Sequence, residues 1–282
     1  MAALEIRLAP GEAPVDLSVR ILEPRQAREI APLLPPASSH VAEFLSGWAA
    51  GRWRPEPVHS VWLEFDLDRE PGAGVPAPVV CARLERGTGG AAACELLSRL
   101  RGAPISPRQA RWLRDAADPA AGCRLLYVFS LESRPGRPIR CEFYGEELAS
   151  LESRLARLGS GLSPSLTRLR PIFAGVERLH LSLDLSTELL PWLGLEGSFR
   201  RSPRRDRRWL DLLGDLVDRG LCRPERRDAL LGWPGSQRFQ ADAGRRGAIG
   251  ARALSHVKVS IGPGQPLEAK GYLLMQALDG NG

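Results

Sequence analysis

The sequence predicts an α+β fold: an antiparallel β-barrel of repeated strand-pair and helix units, with the helices outside and a polar lumen. Three observations predict it. Five pairs of alternating, strand-like runs recur along the 282 residues, separated by helical runs. The strands that read most clearly have one apolar and one polar face, as antiparallel sheets do. The polar faces also carry Trp62, Tyr144, His180, His256 and Tyr272 among the charges, a mixture suited to lining a cavity that holds a substrate. The same pattern fits an open antiparallel sheet covered by helices on one face. Either way the chain reads as a single α+β domain over residues 1–282.

The elements follow in order. Residues 4–8 and 15–22 form a first hairpin around the Pro/Gly turn at 10–14, and a helix follows at about 40–50. Residues 61–68 and 79–85 form the second pair, split by a Pro/Gly loop at 71–78. Helices run over 91–101 and 107–117, the latter with Ser106 as N-cap. The third pair, 124–132 and 139–144, turns at 134–138. An amphipathic helix over 146–158 ends at Gly159. The fourth pair is 176–186 and 194–199, then Ser202-Pro203 opens a helix over 207–220, with a turn or two at 225–231. In the second pair Val61, Leu63, Phe65 and Leu67 alternate with Trp62, Glu64, Asp66 and Asp68. In the third and fourth, Arg140, Glu142 and Tyr144 alternate with Cys141 and Phe143, and His180, Ser182 and Asp184 alternate with leucines. Tyr127 falls on an apolar face.

The fifth pair holds the chain's only lysines, Lys258 and Lys270, against thirty-seven arginines. A compact ammonium is kept where a planar guanidinium does not serve. Two alternating runs flank Gly262-Pro-Gly-Gln-Pro266. Pairing Ile261 with Leu267 sets Lys258 opposite Lys270, His256 opposite Tyr272 and Ser260 opposite Glu268, all on one face. Like charges directly across a ladder destabilise it, so the pair predicts an anion held between the lysines, or else lysines that reach solvent.

Composition narrows the classes. A net charge of +6 favours anionic partners, although arginine-rich codon usage gives the same excess. Five cysteines make no metal-binding spacing, and the four histidines are dispersed. Without a basic-then-apolar leader, these are expected to be free thiols in a reducing cytoplasm. No apolar run is long enough to span a membrane. Gly87-Thr-Gly-Gly90 could cradle phosphate before a helix but lacks the Walker lysine, and a plain turn explains it. Asp211, Asp215 and Asp218 share one helix face and make no Asp-rich magnesium motif. The run Arg200-Arg-Ser-Pro-Arg-Arg-Asp-Arg-Arg208 has no nucleic-acid fold signature beside it and reads as a solvated loop, so a nucleic-acid partner is not expected.

The repeated strand-pair and helix pattern, with Lys270-Gly-Tyr272 as a Lys-x-Tyr motif and Glu64 on an early strand, resembles the ABBA-type aromatic and peptide prenyltransferases. The segments 62–66, 220–224 with 233–235, and 255–258 also look like an uncharacterised bacterial family associated with natural-product gene clusters. The first resemblance implies a barrel of about ten antiparallel strands inside a ring of helices, transferring a prenyl group from an allylic diphosphate to an aromatic or peptide acceptor. It implies Lys258, Lys270 and Arg140 as diphosphate ligands, Tyr144 and Tyr272 as shields of the allylic cation, and Glu64 as the base. No cofactor or metal is then expected beyond the diphosphate co-substrate. Two other functions fit the same residues: a non-catalytic binding or accessory protein for peptide or natural-product modification, and a nucleic-acid-associated protein.

Overall fold

A computed structural model describes residues 1–9, 11, 15–52, 58–67, 76–118, 123–132, 134, 136–159, 161–239 and 248–278. The turn at 10–14, most of the loop at 71–78, Asp68 and Pro135 lie largely outside them. The chain runs β1 (Ala2–Arg7), β2 (Val15–Ile21), α1 (Pro24–Ile30), α2 (Ser39–Ala49), β3 (Val58–Phe65), β4 (Val79–Leu84), α3 (Gly90–Arg101), α4 (Pro107–Ala116), β5 (Arg124–Ser130) and β6 (Ile139–Gly145). It continues through α5 (Leu148–Arg157), α6 (Ser163–Leu169), β7 (Arg178–Leu185), β8 (Leu189–Ser198), α7 (Arg208–Asp218), α8 (Pro224–Gly232), β9 (Gly235–Phe239), β10 (Ala248–Ile261) and β11 (Glu268–Leu278).

The sheet order is β1 through β8 in sequence, then β10 and β11, every neighbour antiparallel. β11 pairs with β10 on one side and β1 on the other, which closes ten strands into a barrel. Closure leaves no long unpaired edge in the ring. The open-sheet alternative is thereby excluded. β9 stands outside the ring and, among the described residues, pairs with Ala248–Arg252 of β10.

Alternation sorts the side chains. Val61, Leu63, Val80, Ala82, Cys141, Phe143, Leu181, Leu183, Val257, Val259 and Ala269 point outward into one large apolar core. The helices cover it with Phe44, Leu45 and Trp48 of α2, Leu96, Leu97 and Leu100 of α3, Leu151 and Leu155 of α5, and Trp209, Leu213 and Leu216 of α7. The intervening residues face the lumen. Local signals explain the helix ends. Ser106 caps α4 by accepting from the Gln109 backbone, and the Gln109 side chain accepts from the Ser106 backbone, two N-terminal donors satisfied reciprocally. Gly90 opens α3, where an added Cβ would lie 2.4 Å from Arg114 Cα; the Gly87–Gly90 turn therefore serves close helix packing. The arginine run starts α7, where Arg208 pairs with Asp206 and Glu177. None of the described helices is long and apolar enough to cross a membrane.

Three elements escaped the sequence reading. α1 and α6 are seven-residue helices, too short to show a period. β9 and the first half of β10 carry Gly and Arg in place of clean alternation. β8 also begins earlier than the spacing predicts, at Leu189, and so adds Trp192 to the wall.

Candidate active site

Register puts the functional side chains in rows across the barrel wall. One row runs Tyr144 (β6), His180 (β7), Glu196 (β8), Lys258 (β10), Lys270 (β11) and Arg7 (β1), each directly opposite the next. A second runs Glu142, Ser182, Gly194, Ser260 and Glu268 across the same strands from β6 to β11. A third joins His256, Tyr272, Glu5 and Asp16 from β10 to β2. The fifth strand pair thus has the register its sequence predicts.

The two lysines face each other, but their counter-charges belong to the protein. Lys258 Nζ donates to Glu196 Oε1 at 2.6 Å and to Ser182 Oγ at 3.1 Å. Lys270 Nζ donates to Glu5 Oε1 at 2.6 Å. The expectation that only an anion or bulk water could relieve the pair is corrected: Glu196 and Glu5, which the sequence left unread, relieve it. Arg140 makes a two-pronged pair with Asp184 at 2.6 and 2.9 Å and lies under the Trp192 ring at 4.6 Å. Trp192 also covers Lys258 at 5.8 Å.

The histidines enter the same network. His180 Nδ1 lies 2.5 Å from Glu142 Oε1 and 3.9 Å from Glu196 Oε2. His256 Nε2 lies 3.4 Å from Glu196 Oε2, and its ring stacks on Tyr272 at 4.0 Å. Burial pushes Glu196 up, but Lys258, His256 and His180 outweigh it and hold the carboxyl at about 2. Burial drives His256 down to about 4 despite Glu196. Burial lowers His180, but its hydrogen bond to the Glu142 carboxylate and that carboxylate's charge outweigh burial, and its pKa rises. Burial, then Glu5 and Glu196, raise the Tyr272 hydroxyl, which hydrogen-bonds Glu5. Tyr144 sits at a rim, edge-on to His180 at 5.5 Å and 5.5 Å beneath the Arg124 guanidinium.

Across the lumen from this charged arc the wall is apolar. Val79, Cys81, Phe129 and Leu131 form a second buried cluster, separate from the outer core, joined by Trp62 and Tyr127. The apolar face on which the sequence places Tyr127 is therefore an arc of the lumen. A bulge between Leu125 and Tyr127 shifts the alternation of β5 there. Arg20 lies over the Trp62 ring at 5.4 Å, at the edge of this arc.

Glu64 lies near the apolar arc, on β3 between Ser18 of β2 and Val79 of β4. Among the described residues Glu64 makes no ion pair. Burial, then the neighbouring Glu5 charge, raise its pKa to about 7, against lesser opposition from Arg140 and Lys258. A carboxyl poised near neutral pH in a lumen is suited to accepting a proton.

Gly194 is what lets Lys258 cross β8 to reach Ser182. A Cβ at this position would lie 2.7 Å from Lys258 Cε and 3.2 Å from the Trp192 ring. Gly194→Ala is expected to push Lys258 off Glu196 and to cost about 1–3 kcal/mol of stability by overpacking. Thermal unfolding measures the loss, and an unchanged midpoint would refute the tight crossing.

No protein-family model matches the chain, and no curated protein matches it in sequence. Solved structures do match its fold. AnaPT from Neosartorya fischeri superposes with a TM-score of 0.53 at 14% identity, over 97% of this chain and 77% of that one. The 5-dimethylallyltryptophan synthase from Streptomyces coelicolor gives 0.52 at 15% identity, over 97% and 80%. PriB, solved with product diphosphate, gives 0.50 at 16% identity, over 96% and 78%. Identities this low speak to architecture alone. The chain accordingly has the fold of the ABBA-type prenyltransferase barrels, the fold its strand-pair and helix repeat resembles in sequence.

Proposed function

We propose that the protein transfers a prenyl group from an allylic diphosphate to an aromatic or peptide acceptor inside the barrel. The observation that carries this reading is the division of the lumen into a charged arc and an apolar, aromatic arc, with Glu64 beside the latter. An allylic diphosphate is divided in the same way. Its head would lie by Lys258, Lys270 and Arg140, and its chain along Trp62, Val79, Tyr127 and Phe129.

In this reading the allylic C–O bond breaks and its electron pair leaves with the diphosphate. Fixed positive charge favours that step because the interaction strengthens as the bond lengthens. The rings of Tyr272, Tyr144 and Trp62 screen the allylic cation through their π faces. A π pair of the acceptor forms the new C–C bond, and Glu64 takes the ring proton as aromaticity returns. Diphosphate oxygens would displace Glu5 from the Lys270 ammonium and approach Lys258 beside Glu196, with His180 and His256 lining the exchange.

The test is a thermal-shift and calorimetric titration with dimethylallyl and geranyl diphosphate. Stabilisation by either is expected, and Lys270→Ala is expected to weaken it about tenfold, the worth of one hydrogen bond to a charged group. Stabilisation by neither would overturn the reading. Binding without a prenylated product in the presence of indole and tryptophan-containing peptides would favour a binding protein.

A further inference from the structure

In the lumen, among the described residues, the carboxylates of Glu5, Glu142, Asp184 and Glu196 face three fixed cations, Lys258, Lys270 and Arg140, and Glu64, its pKa raised to about 7, stands near them. Each cation is already held by one carboxylate at 2.6 Å. A diphosphate would add negative charge to a wall whose three cations are each already matched by a carboxylate, leaving no positive balance. A divalent ion on that wall would reverse the balance.

Three side chains converge where such an ion fits. Glu142 of β6, His180 of β7 and Glu196 of β8 stand on consecutive strands, and one ligand atom from each lies within 4.8 Å of the others. We propose that Glu142, His180 and Glu196 bind a divalent first-row transition ion, which supplies the positive charge a diphosphate head needs; this second part rests on the prenyl-diphosphate reading. The oxygens of Glu196 are already divided. Oε1 accepts from Lys258, while Oε2 faces His180 at 3.9 Å and His256 at 3.4 Å. A ligand carboxylate fixed through its other oxygen is the usual outer-shell arrangement. Ser182 donates to Glu196 as well and adds to the fixing. His180 and Glu142 now share a hydrogen bond, and ligand atoms about 2.0–2.2 Å from one ion require that contact to open by roughly 1 Å.

One imidazole with two carboxylates suits zinc, cobalt or manganese better than magnesium, which prefers oxygen and water alone. The site is therefore distinct from the Asp-rich magnesium motif, whose absence predicts a metal-free reaction from sequence. The proposal departs from that expectation.

The full chain, stripped with chelator, is titrated with Co²⁺ and followed by visible absorption and calorimetry. One Co²⁺ per chain is expected, with affinity at least tenfold lower in Glu142→Gln and in His180→Gln. Unfolding curves of both variants confirm that they fold. Inorganic diphosphate is then expected to bind at least tenfold tighter to the Co²⁺-loaded than to the stripped protein, and to lose that gain in Glu142→Gln. Absence of stoichiometric Co²⁺ binding, unchanged affinity in both folded variants, or diphosphate affinity indifferent to the ion overturns the proposal. If Co²⁺ and inorganic diphosphate behave as expected but dimethylallyl diphosphate binds neither form, the metal site stands and prenyl transfer falls.

Discussion

Replacing Glu64 with glutamine is expected to remove product formation while leaving diphosphate affinity within about twofold. Glutamine keeps the shape and polarity of the side chain and removes its basicity. A positioned general base contributes roughly 10²–10⁴-fold, so turnover should fall by that factor. Dependence on pH supplies a second signature. Burial and the Glu5 charge raise the carboxyl to about 7, and only its ionised form accepts a proton. The rate is therefore expected to climb as pH rises through about 7 and to level off above it, and the glutamine enzyme should lose this limb. Stability moves the other way. The folded protein holds the Glu64 proton up to about pH 7, whereas the unfolded chain releases it near 4.5. Ionised Glu64 thus costs stability, progressively between those values and fully above them. The glutamine variant escapes this and should be more stable above pH 7, by on the order of 2–3 kcal/mol. Steady-state kinetics and chemical denaturation at pH 6 and pH 8 check both signs. An unaffected rate in Glu64→Gln would remove the residue from the chemistry.

Lys258→Met should be among the most destabilising single substitutions in the barrel. Lys258 is 5% exposed and Glu196 6%, and the bond between them is 2.6 Å long. Removing one partner of such a pair strands the other charge, at about 3–5 kcal/mol. Adding Glu196→Gln removes the stranded carboxylate, so the double variant should recover most of the loss. A double-mutant cycle on unfolding free energies measures the coupling, and additive losses would show that the two groups do not depend on each other.

Much of this was legible in sequence, because it is local. The turn at Gly262–Pro266 and the alternation of Val257, Val259 and Ala269 with Lys258 and Lys270 fix one register, and the structure has that register. The paired faces of β3, β6 and β7 were legible for the same reason. What pairs distant segments was not. Nothing near Glu5 announces that Tyr272 will lie opposite it, since the two strands are separated by almost the whole chain. Glu196 was hidden within a strand rich in glycine and leucine, whose alternation is weak because Gly194 makes room for Lys258. The lumen's two arcs were hidden too. Nothing in the sequence marks Val79, Cys81 and Phe129 as facing a lumen, because an apolar lumen wall and an apolar outer core leave the same pattern.

The contacts that close the ring join Ala2–Arg7 to Lys270–Met275. A ribosome making this chain therefore delivers one half of the seam long before the other. Until β11 emerges, β1 and β10 each present a bare edge, the kind of surface on which chains self-associate. Pairings so far apart in sequence also form slowly. Yield in cells is thus expected to be set by how well the growing chain is sheltered, and the ring exists only after β11 locks in.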